Sequence, residues 1–219
     1  MNSLSTAPAS IPRTRDLLSR RTTATVVGVL FVVQMVTAMV GTSLIEAFVD
    51  GGTDRGSMTV GVLLMMGSGL AVVGIGLLMY PVLKEVNPRL AVWYPVLRIT
   101  ECLVSAACGV YLLVESQVVP NHMLWIYVPT GLGGIILTYL LFVSRLVPRA
   151  IALLGLVGYG LLTIGVPLDL LGLLDMSEGA GLLLVVPGGL FELVFFPIWL
   201  ITKGFSAPRL VSKAATPLR

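Results

Sequence analysis

The fold class this sequence predicts is all-α: a polytopic membrane bundle of six transmembrane helices with both termini in the cytoplasm. Three observations predict it. Hydrophobic residues make up 56% of the 219-residue chain and charged residues only 11%, whereas a soluble domain is about 25% charged. The apolar residues come in blocks of about 20, long enough to cross a hydrocarbon core of about 30 Å. Basic residues collect in every second connection between those blocks. Lipid offers backbone groups no hydrogen-bond partners, so a spanning segment is a helix or part of a closed barrel. The ten-residue alternating segments of a barrel are missing here.

Residues 1–21, rich in Ser, Thr, Pro and Arg, are expected to form a disordered basic tail. The membrane domain is expected over 22–205, with spans at about 23–45, 58–80, 91–114, 123–143, 150–170 and 181–202. A second basic tail follows over 206–219. Arg20 and Arg21 precede the first apolar block much as in a signal peptide. The block runs past 20 residues without a small-x-small cleavage pattern, so a retained span is expected instead. Connections of about 5 to 13 residues leave no room for an extramembrane domain and make consecutive helices antiparallel neighbours.

Orientation follows from charge. Arg13, Arg15, Arg20, Arg21, Lys84, Arg89, Arg145, Arg149, Lys203, Arg209, Lys213 and Arg219 fall on one side, 12 of the 14 basic residues. The opposite connections hold Glu46, Asp50, Asp54, Glu115, Asp175 and Glu178 against Arg55 alone. The positive-inside rule places the basic side in the cytoplasm. The net charge of +3 is therefore a topology signal, and no nucleic-acid partner is expected from it.

Few residue types suited to metal or redox chemistry are present. Cys102 and Cys108 share the third span but face about 240° apart, so they cannot bridge each other. His122, the one histidine, is expected at a membrane interface, and no metal site or cofactor is expected. Tyr80, Trp93, Tyr94 and Trp199 are expected in an aromatic belt at the inner edge, and Trp125 and Tyr127 in one at the outer edge. Glycines crowd spans two, four and five, where they allow close helix approach. Prolines 95, 129, 167, 187 and 197 are expected to kink spans or open gaps between them. Pro-Arg dipeptides at 88–89, 148–149 and 208–209 recur every 60 residues. Either a repeated hairpin or independent helix starts at the cytoplasmic edge accounts for them.

The third span also carries Arg98 and Glu101, three residues apart and so on one helix face. Counted at about 1.5 Å per residue from Trp93, they lie about 8 and 12 Å deep, and Glu192 in the sixth span lies about 13 Å deep from its own end. Gln34 in span one and Tyr159 in span five reach similar depth. A charge in mid-span costs about 2.5–3.5 kcal/mol on the insertion scale, so these groups are expected to face inward together. Arg98 is expected to bridge Glu101 and Glu192, with Gln34 and Tyr159 donating hydrogen bonds. Two carboxylates for one guanidinium leave one glutamate expected to hold a proton, and Glu192 is the candidate because helix geometry ties Glu101 to Arg98.

Three stretches, "YPVLKEVNPRLAVWYPVLRITE" (80–101), "YLLFVSRLVPRAIALLGLVGYGLL" (139–162) and "FELVFFPIWLITKGF" (191–205), carry a family resemblance. With them the chain resembles the DUF4386 family of bacterial multi-spanning membrane proteins over spans two to six. The resemblance implies a bacterial cytoplasmic membrane and polar family positions at Arg98, Glu101, Ser144, Arg145, Pro148, Arg149, Glu192 and Lys203. It implies no activity.

The residues themselves leave three functional readings. The first is a non-enzymatic membrane protein whose ionic cluster organises the bundle beside a cavity for a small apolar or lipid ligand, with membrane lipids and a second copy of the chain as partners. The second is a proton-coupled carrier using Glu101 and Glu192, and the third an enzyme acting on a lipid or isoprenoid, with Glu192 as general acid. No catalytic residue is assigned from sequence.

Overall fold

The structure, a computed structural model, describes residues 14–206. The tail segments 1–13 and 207–219, with the Pro-Arg pair at 208–209, lie outside the described residues. All regular structure among the described residues is helical: α1 (Thr14–Val49), α2 (Arg55–Leu83), α3 (Pro88–Ala91), α4 (Trp93–Glu115), α5 (His122–Ser144), α6 (Arg149–Leu170), α7 (Leu182–Leu190) and α8 (Phe196–Thr202). A π-helical turn, Phe191–Phe195, joins α7 to α8. Six stretches are long and apolar enough to cross a membrane, with α3–α4 counted as one and 179–202 as another. The chain is a multi-pass membrane protein.

Helix α1 begins eight residues before the expected edge of the membrane domain, so residues 14–21 continue the span as helix. The sequence "TRDLLSRR" contains no glycine or proline to stop it. The third span is also interrupted near its start. Asn87 caps α3 by accepting from the amides of Arg89 and Leu90, at 3.1 and 3.2 Å. Val92 then links α3 to α4, and Pro95 falls within the first turn of α4, where a missing N–H does least harm.

The helices form a ring in chain order. Spans one to six each pack against the next, and α8 returns to pack against α1. Arg21 locks this closure, its Nη2 donating to the carbonyls of Ile201 and Thr202 at 2.9 Å each. A cation there satisfies the bare carbonyls of a helix C-terminus and its dipole. Gly28 permits the approach, because a Cβ there would lie 2.8 Å from the Ile201 side chain and 3.0 Å from the Pro197 carbonyl. Arg20 pairs with Glu85 on the same face. Both described ends of the chain lie at this face, called the terminal face below; the connections around Asp54, Pro120 and Asp175 form the opposite face.

Closure is uneven along α1. Toward the terminal face α1 packs on α8 and touches the π turn, but it makes no more than marginal contact with α7. The ring is thus shut in its terminal half and parted between α1 and α7 in its other half. The main hydrophobic core includes Phe31, Met79, Leu83, Leu141, Phe191 and Phe196. Phe31 meets Phe196 edge-on at 5.2 Å, and Phe196 stacks on Phe191 at 4.8 Å, so aromatic rings fill the shut half. A smaller core of Met58, Val62 and Leu112 joins α2 to α4 near the opposite face.

The aromatic-belt expectation needs two corrections. Trp93 and Trp125 are exposed, but Tyr94 is fully buried and Tyr127 is half-buried against internal cavities. Depth along a span does not say which way a side chain points, and both tyrosines point inward.

Two predictions follow from these contacts. A Cβ on Gly158 would lie 2.4 Å from the Gly188 amide nitrogen, whereas one on Gly160 meets nothing within 4 Å. Gly158→Leu is expected to destabilise the detergent-solubilised protein by about 1–3 kcal/mol in thermal melts and Gly160→Leu to leave it near the parent value. Asp54 caps α2, accepting from the Ser57 amide at 3.0 Å, and this bond holds its carboxyl below the ordinary 3.8. A depressed folded-state value means the cap is intact above pH 3.8 and lost as pH falls through that lower value. Amide exchange at Ser57 is expected to accelerate at that point, while exchange deep in α2 does not.

Candidate functional site

The residues of interest come from five of the six spans and meet where the shut half of the ring ends. On α4, Arg98 and Glu101 lie one turn apart, with Nη1 to Oε2 at 2.7 Å. Arg98 is 2% exposed. Its guanidinium lies over the Tyr94 ring, 5.2 Å from the centroid, a cation–π contact from the turn before. Gly76 makes room across the α2–α4 interface, since a Cβ there would press on the Arg98 stem at 3.2 Å.

Glu192 arrives from the π turn. Pro197 has no N–H, so the carbonyl four residues before it has no α-helical partner, and the backbone widens instead, with Phe196 N–H donating to the Phe191 carbonyl. One Glu192 oxygen accepts from the Tyr159 hydroxyl. The other accepts from Gln34 Nε2 at 3.2 Å. Gln34 is held in turn by Ser68, whose hydroxyl donates to the Gln34 carbonyl at 2.9 Å. Tyr159 stands over Gly134, where a Cβ would lie 2.2 Å from its ring.

The structure therefore brings Arg98, Glu101, Glu192, Gln34 and Tyr159 together, but Arg98 does not bridge its carboxylates equally. Its Nη2 is 3.6 Å from Glu192 Oε1, an ion pair too long for a hydrogen bond. Nε and Nη2 of Arg98 and the Tyr94 hydroxyl are buried without a hydrogen-bond partner. Glu192 is held chiefly by neutral donors. Each of its oxygens is engaged by one of these donors. The place of Tyr94 beside Arg98, rather than in the aromatic belt, and the π turn went unread in the sequence. Pro197, five residues after Glu192, was the available signal for the turn.

Ser144, Arg145, Pro148 and Arg149 lie apart from this cluster, at the terminal face. Ser144 Oγ donates to the Leu140 carbonyl at 2.6 Å. Arg145 ends α5 in the left-handed region at φ 56°, and its amide donates to the Leu141 carbonyl at 3.0 Å. The turn then drives Leu146 and Val147, each 1% exposed, into the core before Pro148 starts α6. Arg149 lies over the Phe142 ring at 5.4 Å. These contacts make the stretch a tight helix-to-helix turn. Lys203 directly follows α8 on the same face.

Three adjoining cavities lie beyond the cluster, toward the opposite face. The innermost, about 140 Å³, has Glu101, Glu192, Gln34, Ser105 and Thr130 in its wall. A second, about 390 Å³, extends from Glu192 and Tyr159 between Met35 and Met39 of α1 and Val185 of α7. Met39 is 57% exposed, so this cavity lies at the parting between α1 and α7. The third, about 320 Å³, is a vestibule at the opposite face lined by Glu46, Asp50, Cys108 and His122. All three share Thr42 and Met123. Among the described residues, no group of three or more His, Cys, Asp or Glu side chains is placed to hold a metal ion.

Removing the cation from this arrangement strands Glu101 and takes the charge partner from Glu192. Arg98→Ala is expected to cost about 3–5 kcal/mol in the detergent-solubilised protein. Tyr159→Phe removes one of several partners of Glu192 and is expected to cost less, about 1–3 kcal/mol. Equal melting of Arg98→Ala and the parent would contradict the burial described above.

No curated protein and no solved structure matches the chain. The model of the family described as "Domain of unknown function (DUF4386)" matches residues 26–115 and 107–204. Those matches take in all six spans, and the chain belongs to the DUF4386 family.

Proposed function

We propose that this protein binds a small apolar or lipid-like molecule within the bilayer, and that the Arg98–Glu101–Glu192 cluster organises the bundle and forms the polar end of the binding cavity. The reading is non-enzymatic, and it places the protein in a bacterial cytoplasmic membrane with its terminal face inward. The observation that carries it is the cavity of about 390 Å³ beside Glu192. Its size lies within the usual range for small-molecule sites, about 300–1,000 Å³. Its wall has the composition of such sites, with Met35, Met39, Met123, Leu162 and Val185 around a few polar groups. Methionine side chains adapt to varied apolar shapes. The parting between α1 and α7 supplies a route from lipid that does not cross the polar headgroups.

Orientation is supported by Arg20, Arg21, Lys84, Arg89, Arg145, Arg149 and Lys203, which all lie at the terminal face, against Arg55 at the other. Reporter fusions at Asp54 and Arg149 are expected to report opposite sides, with Arg149 cytoplasmic.

Ligand binding is tested by native mass spectrometry of the gently solubilised protein. Bound mass beyond the bare chain is expected, and organic extraction is expected to release it. Ala38 lines both inner cavities, so Ala38→Phe is expected to fill them and remove the bound mass while the protein still melts cooperatively. A parent chain that never carries bound mass, in cell membranes or with added lipid, would overturn the reading.

A further inference from the structure

The cavities share a sign of charge. Their acidic lining residues are Glu46, Asp50, Glu101 and Glu192, with His122 at the vestibule, and no Lys or Arg lines any of them. Arg98 lies behind the wall, committed to Glu101 at 2.7 Å and at 3.6 Å from Glu192. Arg55, the basic residue of the opposite face, turns away to the Leu113 carbonyl at 2.8 Å. One guanidinium thus serves two acidic side chains, close to Glu101 and distant from Glu192, and both acidic groups face the innermost cavity. A buried charge without a full partner is costly, and the side left open for a partner is the cavity.

We infer that the occupant is a cationic amphiphile, an ammonium head on a single alkyl chain, which enters between α1 and α7 and sets its head against Glu192 and Glu101. The inference rests on the ligand-binding reading above and adds the charge class to it. The head meets two carboxylates and the aromatic side chains of Tyr127 and Tyr159, a combination that suits quaternary ammonium groups. The chain lies along the methionine-lined cavity toward the parting. Phe31, Phe191 and Phe196 stop the head from passing further toward the terminal face. An anionic head of the same length would face like charge at every ionised wall residue.

The test uses the full chain in a neutral maltoside detergent, with decyltrimethylammonium, decanol and decanoate added at equal concentration. Decyltrimethylammonium is expected to raise the melting temperature in a saturable way, and the other two are not. The Glu101→Gln/Glu192→Gln double variant is expected to weaken that binding about tenfold or more. Should the double variant fail to fold, Ser105→Cys in a Cys102→Ser/Cys108→Ser background supplies a second readout. Ser105 lies on the wall shared by the vestibule and the innermost cavity, and its maleimide labelling is expected to slow with decyltrimethylammonium alone. Equal effects of decanol would overturn the cationic class and leave apolar ligand binding standing. No effect from any of the three chains, in melting or labelling, would overturn both.

Discussion

The rest of this bundle depends on keeping Arg98 out of lipid. A guanidinium in mid-span has no water to solvate it, and spans one, two, five and six each give something toward that need. Its own helix supplies Glu101 and the Tyr94 ring. The sixth span bends through a π turn to bring Glu192 near, and the second thins to glycine at Gly76 to admit the arginine stem. The first and fifth spans supply Gln34 and Tyr159, which reach the cation only through Glu192. An ionic cluster of this kind gives helices with generic apolar surfaces a preferred register, which is the organising role proposed for it.

The same requirement divides the molecule. Below the cluster the ring is shut by α1 against α8 and filled with stacked phenylalanines. Above it, α1 and α7 part and cavities begin. The polar residues therefore stand at the boundary between a packed half and an open half. Glu192 belongs to both, fastened by Tyr159 and Gln34 yet forming part of the cavity wall.

Much of the architecture was legible in the sequence because lipid leaves a chain few options. Blocks of apolar residues, their length and the alternation of basic connections give six spans, and a count of residues puts Arg98, Glu101, Gln34, Tyr159 and Glu192 near one depth. The missing information was azimuthal. Tyr94 and Tyr127 sit at depths that suit an aromatic belt but turn inward, which no count along the chain reveals. Helix α1 runs back to Thr14, beyond the expected span, because the Ser-, Thr- and Arg-containing stretch that reads as tail by composition holds nothing that breaks a helix. The π turn was announced only by Pro197, and the cavities depend on which helices fail to touch, a property of the whole ring.

The spacing of the charged residues along the chain bears on how the protein is made. The stretch containing Arg98, Pro88–Glu115, has the lowest mean hydropathy of the six, 1.6, and Glu192 is synthesised 91 residues after Glu101. During that interval the third span must enter the membrane with only its own sequence to quiet its cation. Glu101 and Tyr94 lie within one turn of Arg98 on the same helix, so the pairing that matters first is available as soon as the helix forms. Glu192 comes with the last span, and its arrival coincides with the docking of α8 on α1. The longer ionic contact to Arg98 and the closing contacts with α1 thus come from the same last span.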